Sequence, residues 1–228
     1  VQQVLGCATF CGRSYKVTPD VLIPRPETEE LVAWGIEKMH GLSGYASSVS
    51  DKKSSASKQL CVLDAGTGSG CIAISLKLAL DEANVTAWDI SDAALEVARE
   101  NAQQLGARVH FEHHDMLQMP SVNDVSQYHL IVSNPPYICQ SEAMEMERRV
   151  LDFEPHCALF VPDDDPLRFY RVLCRLAQRL LLPGGWLLVE INRAYAEHTA
   201  ALMRESGLHE VEVREDAYGN PRMVGGRM

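Results

Sequence analysis

The sequence predicts an α/β fold, a mostly parallel sheet with helices on both faces, and three observations carry that prediction. Short apolar runs with strand character alternate along the chain with helical stretches of several turns, the pattern that right-handed βαβ crossovers produce. A glycine-rich turn, Gly66-Thr67-Gly68-Ser69-Gly70, follows directly on one such run. The next run closes on Asp89, 19 residues after Gly70. In open parallel sheets ligands sit beyond the carboxyl ends of the strands, so the residues standing there carry functional information.

Taken in order, the chain first offers "VLIPRPETEELVAWGIEKMH", with prolines at 24 and 26 followed by Leu31, Val32, Gly35, Ile36 and Met39 at helical spacing. A helix starting near Pro26 is expected, with Glu27, Glu29 and Glu30 well placed against its positive N-terminal end. Residues 41–58, rich in Ser, Gly and Lys, read as a flexible loop between residues 1–40 and a main domain at 59–228. That domain opens with the strand "LCVLDAG" and the helix "GCIAISLKLAL", followed by the strand "NVTAWDI". A helix over 91–106 comes next, with Ser91 as its N-cap and Gly106 as its stop. Strands "ARVHFEH" and "YHLIVS" then precede a helix over 166–182, the strand "GWLLVEI", a helix over 194–206 and "HEVEVRED". There is no internal repeat.

Composition bounds the functional classes. At 228 residues and 46% hydrophobic content the chain can bury a core of one α/β domain. A net charge of −10 argues against general affinity for nucleic acid, which needs a basic face, and no direct nucleic-acid binding is expected. Seven cysteines without a C-x-x-C pair, and no apolar run of membrane-spanning length, fit a reducing cytoplasmic setting away from membranes. Cys7 and Cys11 lack partners for a zinc site, and His113 and His114 read as surface or packing residues, so no metal is expected. The chain opens at Val1 without a methionine and reads as part of something longer.

The glycine turn allows close backbone approach to a ligand at a helix N-terminus. Asp89 is placed to accept hydrogen bonds from a ribose diol. Asp64 stands two residues ahead of Gly66. A carboxylate there would repel a pyrophosphate but suits an ammonium or sulfonium group, so S-adenosylmethionine is favoured over a dinucleotide. Two further strand ends carry Asp115 with Met116, and Asn134-Pro135-Pro136-Tyr137. The prolines lack N–H donors, so their carbonyls can face a pocket. The Asn134 side-chain oxygen and the Pro135 carbonyl make an acceptor pair for the two hydrogens of a planar NH₂ group, with Tyr137 stacking on its plane.

These residues sit in blocks that resemble the HemK/PrmC family of class I S-adenosylmethionine-dependent methyltransferases: "VLIPRPETEELV", "VLDAGTGSGCIAISL", "YHLIVSNPPYI", "FEPHCALF", "LLPGGWLLVEI" and "DAYGNPRMVGGR". The resemblance implies a Rossmann-like seven-stranded fold. It also implies methylation of the glutamine side-chain nitrogen in the Gly-Gly-Gln motif of peptide chain release factors, with S-adenosyl-L-homocysteine as co-product. Residues Gly66, Thr67, Gly68, Ser69 and Gly70 would contact the methionine part of the cofactor, Asp89 its ribose, and Asp115 and Met116 its adenine. Asn134 would meet cofactor and substrate, and Pro135, Pro136 and Tyr137 would shape the glutamine pocket. The Asn-Pro-Pro-Tyr motif is shared with adenine-N6 methyltransferases of DNA and RNA, the alternative reading; a noncatalytic cofactor-binding protein and a nicotinamide oxidoreductase fit less well. No part of the chain matches the helical N-terminal domain of the bacterial family, and without such a domain affinity for the protein substrate should suffer more than cofactor binding.

Overall fold

The computed structural model describes residues 5–49, 59–121, 127–146 and 148–228. Its strands are β1 (Cys7–Phe10), β2 (Arg13–Lys16), β3 (Cys61–Ala65), β4 (Asn84–Asp89), β5 (His110–His113), β6 (Tyr128–Ser133), β7 (Ile138–Cys139), β8 (Phe160–Val161), β9 (Leu181–Glu190), β10 (His209–Glu215) and β11 (Pro221–Arg227). Its helices are α1 (Pro26–Val49), α2 (Cys71–Ala79), α3 (Asp92–Leu105), α4 (Arg148–Phe153), α5 (Arg168–Leu180) and α6 (Ala196–Glu205).

Seven strands form one sheet in the order β10-β11-β9-β6-β3-β4-β5. From β9 through β6, β3 and β4 to β5 every pairing is parallel, and β11 is antiparallel to both β9 and β10. This bears out the expected Rossmann-like architecture. Side chains of successive strand residues point to opposite faces, and here both faces are apolar. Val62, Leu130, Val132 and Leu188 pack with Leu31, Trp34, Met39, Ile74 and Leu76 on one side. Their neighbours Leu63, Ile131, Leu187 and Val189 pack with Leu173, Leu176, Leu180 and Met203 on the other. The ends of α3 fall where the sequence places them: the Ser91 side chain accepts from the Ala94 amide, and Gly106 takes a left-handed conformation.

Among the departures from the sequence reading, two concern the packing of the central sheet and α1. The helix starting at Pro26 does not stop at His40 but continues to Val49, over part of the expected loop; residues 50–58 of that loop lie outside the described residues. No proline interrupts 41–49, and extending a nucleated helix costs little compared with starting one. The second departure is β11, a buried strand where the sequence shows a glycine pair. Gly225 lies where the sheet meets α1: a Cβ there would stand 2.5 Å from Leu188 Cδ2 and 2.5 Å from Trp34 Cη2.

That close approach makes Gly225→Ala an overpacking substitution at a site with no slack. The variant should lose about 1–3 kcal/mol of stability, read as a lower urea midpoint with an unchanged slope.

Candidate active site at the carboxyl ends of the strands

β3 ends at Ala65, and the chain turns at once. The Gly66 and Thr67 amides both donate to the Trp88 carbonyl, at 2.9 and 2.8 Å, which ties the turn to the end of β4. Gly66 has φ +80, and a Cβ on it would lie 2.7 Å from Met116 Cε, so neither the backbone nor the space admits a side chain. Gly70 is also left-handed and packs against Ile74 and Ala98, which turns it toward α3 and away from the cleft.

Three carboxylates organise this end of the sheet. Asp64 is fully buried; its Oδ2 accepts from the Thr67 hydroxyl at 2.6 Å and from the Ala73 amide at 3.1 Å. Its Oδ1 has no hydrogen-bond partner among the described residues. Burial pushes the Asp64 carboxyl up to about 7, against the hydrogen bonds from Thr67 and Ala73. Asp89 accepts from the Gly68 amide at 2.8 Å and the Ser91 amide at 2.9 Å, and burial raises its carboxyl above the ordinary range. Asp115 accepts from the Leu117 amide at 2.9 Å, which fixes the turn carrying Met116.

Opposite them, β6 delivers Asn134 to the same cleft. The Asn134 amide NH₂ donates to Thr28 Oγ1 at 3.2 Å, and Thr28 donates to Glu190 Oε2 at 2.6 Å. The Tyr137 hydroxyl donates to Glu190 Oε1 at 2.9 Å, and Asn192 donates to the Tyr137 carbonyl at 3.2 Å. Burial raises the Glu190 carboxyl, the hydrogen bonds from Thr28 and Tyr137 oppose it, and Tyr137 is raised well above an ordinary phenol for the same reason of burial.

The cleft is lined by Gly66, Thr67, Gly68, Ser69, Asp89, Asp115, Met116, Asn134 and Pro136, nine of the residues singled out from the sequence. Gly70, Pro135 and Tyr137 are not among its walls: Pro135 is buried and the Tyr137 hydroxyl is turned to Glu190. Residues the sequence reading did not assign also line it. Ile90 is 56% exposed beside Asp89, an apolar surface free to meet a flat ligand. His114, whose ring lies 4.2 Å from that of Trp88, is a packing residue that also reaches the cleft. Arg25 and Pro155 also line it, and the buried Glu154 beside Pro155 accepts from Arg25 Nη2 at 2.6 Å and from the Ile23 amide at 3.0 Å. Thr28 and Glu190 were visible in the sequence only as members of "PRPETE" and of an apolar run ending in an acid. That terminal acid, "LLVEI", was the available signal for Glu190.

The features fit a ligand with a cationic end and a flat end. An orphaned buried carboxylate oxygen stands behind the glycine turn, a carboxylate suited to a diol sits beside it, and Ile90 and Met116 offer apolar faces. Among the described residues no helix is long and apolar enough to cross a membrane.

Residues 56–220 match the family model described as a methyltransferase domain. The chain is 45% identical over 224 residues to the release factor glutamine methyltransferase of Bacteroides thetaiotaomicron, covering 98% of this chain and 74% of that protein. It is 42% identical to the one from Flavobacterium psychrophilum with the same coverage. Among solved structures, the release factor-specific protein-(glutamine-N5) methyltransferase of Alicyclobacillus acidocaldarius is 30% identical, with a TM-score of 0.51 over 93% of this chain and 98% of that one.

The state of Asp64 gives a pH signature. Its folded pKa of about 7 lies above the ordinary 3.8, so the folded protein holds this proton more tightly than the unfolded chain does. The stability it contributes is complete at low pH and is lost as pH rises from about 4 to about 7. In urea titrations of the free protein, Asp64→Asn should gain on the wild type across that window, and the difference should level off above it.

Proposed function

This chain belongs to the release factor glutamine methyltransferases, and on that premise we infer that it methylates the side-chain amide nitrogen of a glutamine in a peptide chain release factor. We propose that this glutamine is the one in the Gly-Gly-Gln motif and that the methyl donor is S-adenosylmethionine. When bound, that donor supplies a methyl group made electrophilic by its sulfonium. The single observation that carries the reading is the presence of Asn134 in the same cleft as the glycine turn and Asp89.

An amide nitrogen is a poor nucleophile because its lone pair is delocalised. Asn134 Oδ1 and the Pro135 carbonyl would accept its two N–H hydrogens, hold the nitrogen in one orientation, and favour the positive charge that develops as the N–C bond forms and the S–C bond breaks. One N–H proton is then lost to solvent. Tyr137 supports the site from behind, with its ring packed against the core and its hydroxyl occupied by Glu190. Asp64 supplies negative charge toward an ammonium or sulfonium, and a cation there would draw its carboxyl back toward ionisation. Asp89 keeps lone pairs free for a ribose diol, and Ile90 with Met116 borders the place for adenine. The seven free thiols support a cytoplasmic site of action, where release factors work.

An adenine N6 amine would present the same planar NH₂ to Asn134, and what favours glutamine is the naming of relatives 45% and 42% identical to this chain.

Incubation with labelled S-adenosylmethionine and a release factor should label the wild-type substrate, while its Gln→Ala variant and DNA stay unlabelled. Label on DNA alone would overturn the assignment. Asn134→Ala should lower turnover by roughly 100-fold or more while calorimetry still registers cofactor binding.

A further inference from the structure

Glu190 closes β9 with its carboxylate 1% exposed, and it receives the hydroxyls of Thr28 and Tyr137, one on each oxygen. An ionised carboxylate can only accept, so both hydroxyls must donate. Thr28 has one hydroxyl hydrogen, and with that hydrogen given to Glu190 it offers only lone pairs to Asn134, 3.2 Å away. Asn134 must answer with its NH₂ group, which leaves Oδ1 as the end of the amide free to meet a ligand. A protonated Glu190 permits the reverse chain. Its proton would go to Thr28, the Thr28 hydrogen would go to the Asn134 oxygen, and the amide would turn its NH₂ into the cleft. A substrate NH₂ would then face another donor.

We propose that Thr28 and Glu190 are positioning residues that set the polarity of Asn134, so that the acceptor end of its amide, and not the donor end, faces the substrate nitrogen. The proposal rests on the glutamine-methylation reading, because it is a substrate NH₂ group that requires an acceptor there. Burial raises the Glu190 carboxyl, and Glu27 in the first turn of α1 adds to the rise, while the Thr28 and Tyr137 hydroxyls and Arg222 on β11 draw it toward ionisation. Tyr170 on α5 faces it through a phenol that burial keeps neutral. Activity should therefore fall on the acid side as Glu190 takes up its proton.

The test is steady-state kinetics on a release factor with wild type, Thr28→Val, Thr28→Ser and Glu190→Gln, each checked for folding by circular dichroism and for S-adenosylmethionine binding by calorimetry. Thr28→Val should lower kcat roughly 10- to 100-fold with KM for the release factor and cofactor affinity within about twofold, and Thr28→Ser, which keeps the hydroxyl, should regain most of the loss. Glu190→Gln should lower the plateau and remove the acid limb of the wild-type profile. A folded Thr28→Val enzyme turning over at the wild-type rate overturns the proposal, as does Thr28→Ser no better than Thr28→Val. Should Thr28→Val fail to fold, the pH profile decides: a Glu190→Gln limb identical to that of wild type overturns it. A wild-type protein inactive on the release factor would instead sink the functional reading, so the two failures are told apart.

Discussion

The site depends on one buried acid. Glu190 binds Thr28 from the start of α1 and Tyr137 from the segment after β6, residues 162 and 53 positions away in the chain. Removing a carboxylate of this size from water is costly unless its oxygens are satisfied, and here both are. The cost gives the arrangement its specificity: losing either hydroxyl would leave a buried acceptor bare, so the N-terminus of α1 and the Asn-Pro-Pro-Tyr segment are held in one mutual position. Asn134 inherits that position through Thr28.

The same chemistry recurs along the strand ends. Asp64 on β3 is buried with one oxygen unpartnered among the described residues, and Asp89 on β4 is held by two backbone amides. Each acid is raised by burial, and each would be relieved by a cation or by donors from a ligand. Holding such carboxyls out of water is costly, and the apolar packing on both faces of the sheet supplies the stability against which that cost is set.

The sequence made the framework legible because the framework is built from local patterns. Apolar strands buried on both faces, the Ser91 cap and the Gly106 stop follow from neighbouring residues alone. Asp89 and Asn134 were legible for the same reason, since each terminates a recognisable strand. The β1–β2 hairpin was not, because its strands have four residues each and its turn puts Cys11 at φ +47 beside Gly12 at φ +70, so one glycine is the only local sign of it. β11 was hidden by Gly225 and Gly226, which weaken a strand signal yet are required where Trp34 and Leu208 press against the sheet. The role of Thr28 was beyond local reading, since it arises only when α1 and β9 meet. The orientation of Tyr137 was beyond it too: a phenol beside two prolines suggests an open aromatic face, whereas its hydroxyl is committed inward.

The mouth of the cleft follows the same logic as its floor. Glu154 is 5% exposed, and it spends one oxygen on Arg25 and the other on the Ile23 amide. Because the Arg25 side chain is one-third exposed, the ion pair itself contributes modestly; the amide bond inside the protein is the firmer tie. Val21–Arg25 is thereby joined to the segment that carries Pro155 and Ala158, and both segments line the cleft. The residues just before α1 are thus pinned at one end by Glu154 and, through Thr28, at the other by Glu190. A segment anchored by two buried acids from distant parts of the chain cannot drift without exposing both to loss of their partners. That constraint explains why "IPRPETE" holds together as a unit: Pro24 is part of the wall, Arg25 and the Ile23 amide fasten it to one side of the cleft, and Thr28 links Glu190 to the Asn134 amide.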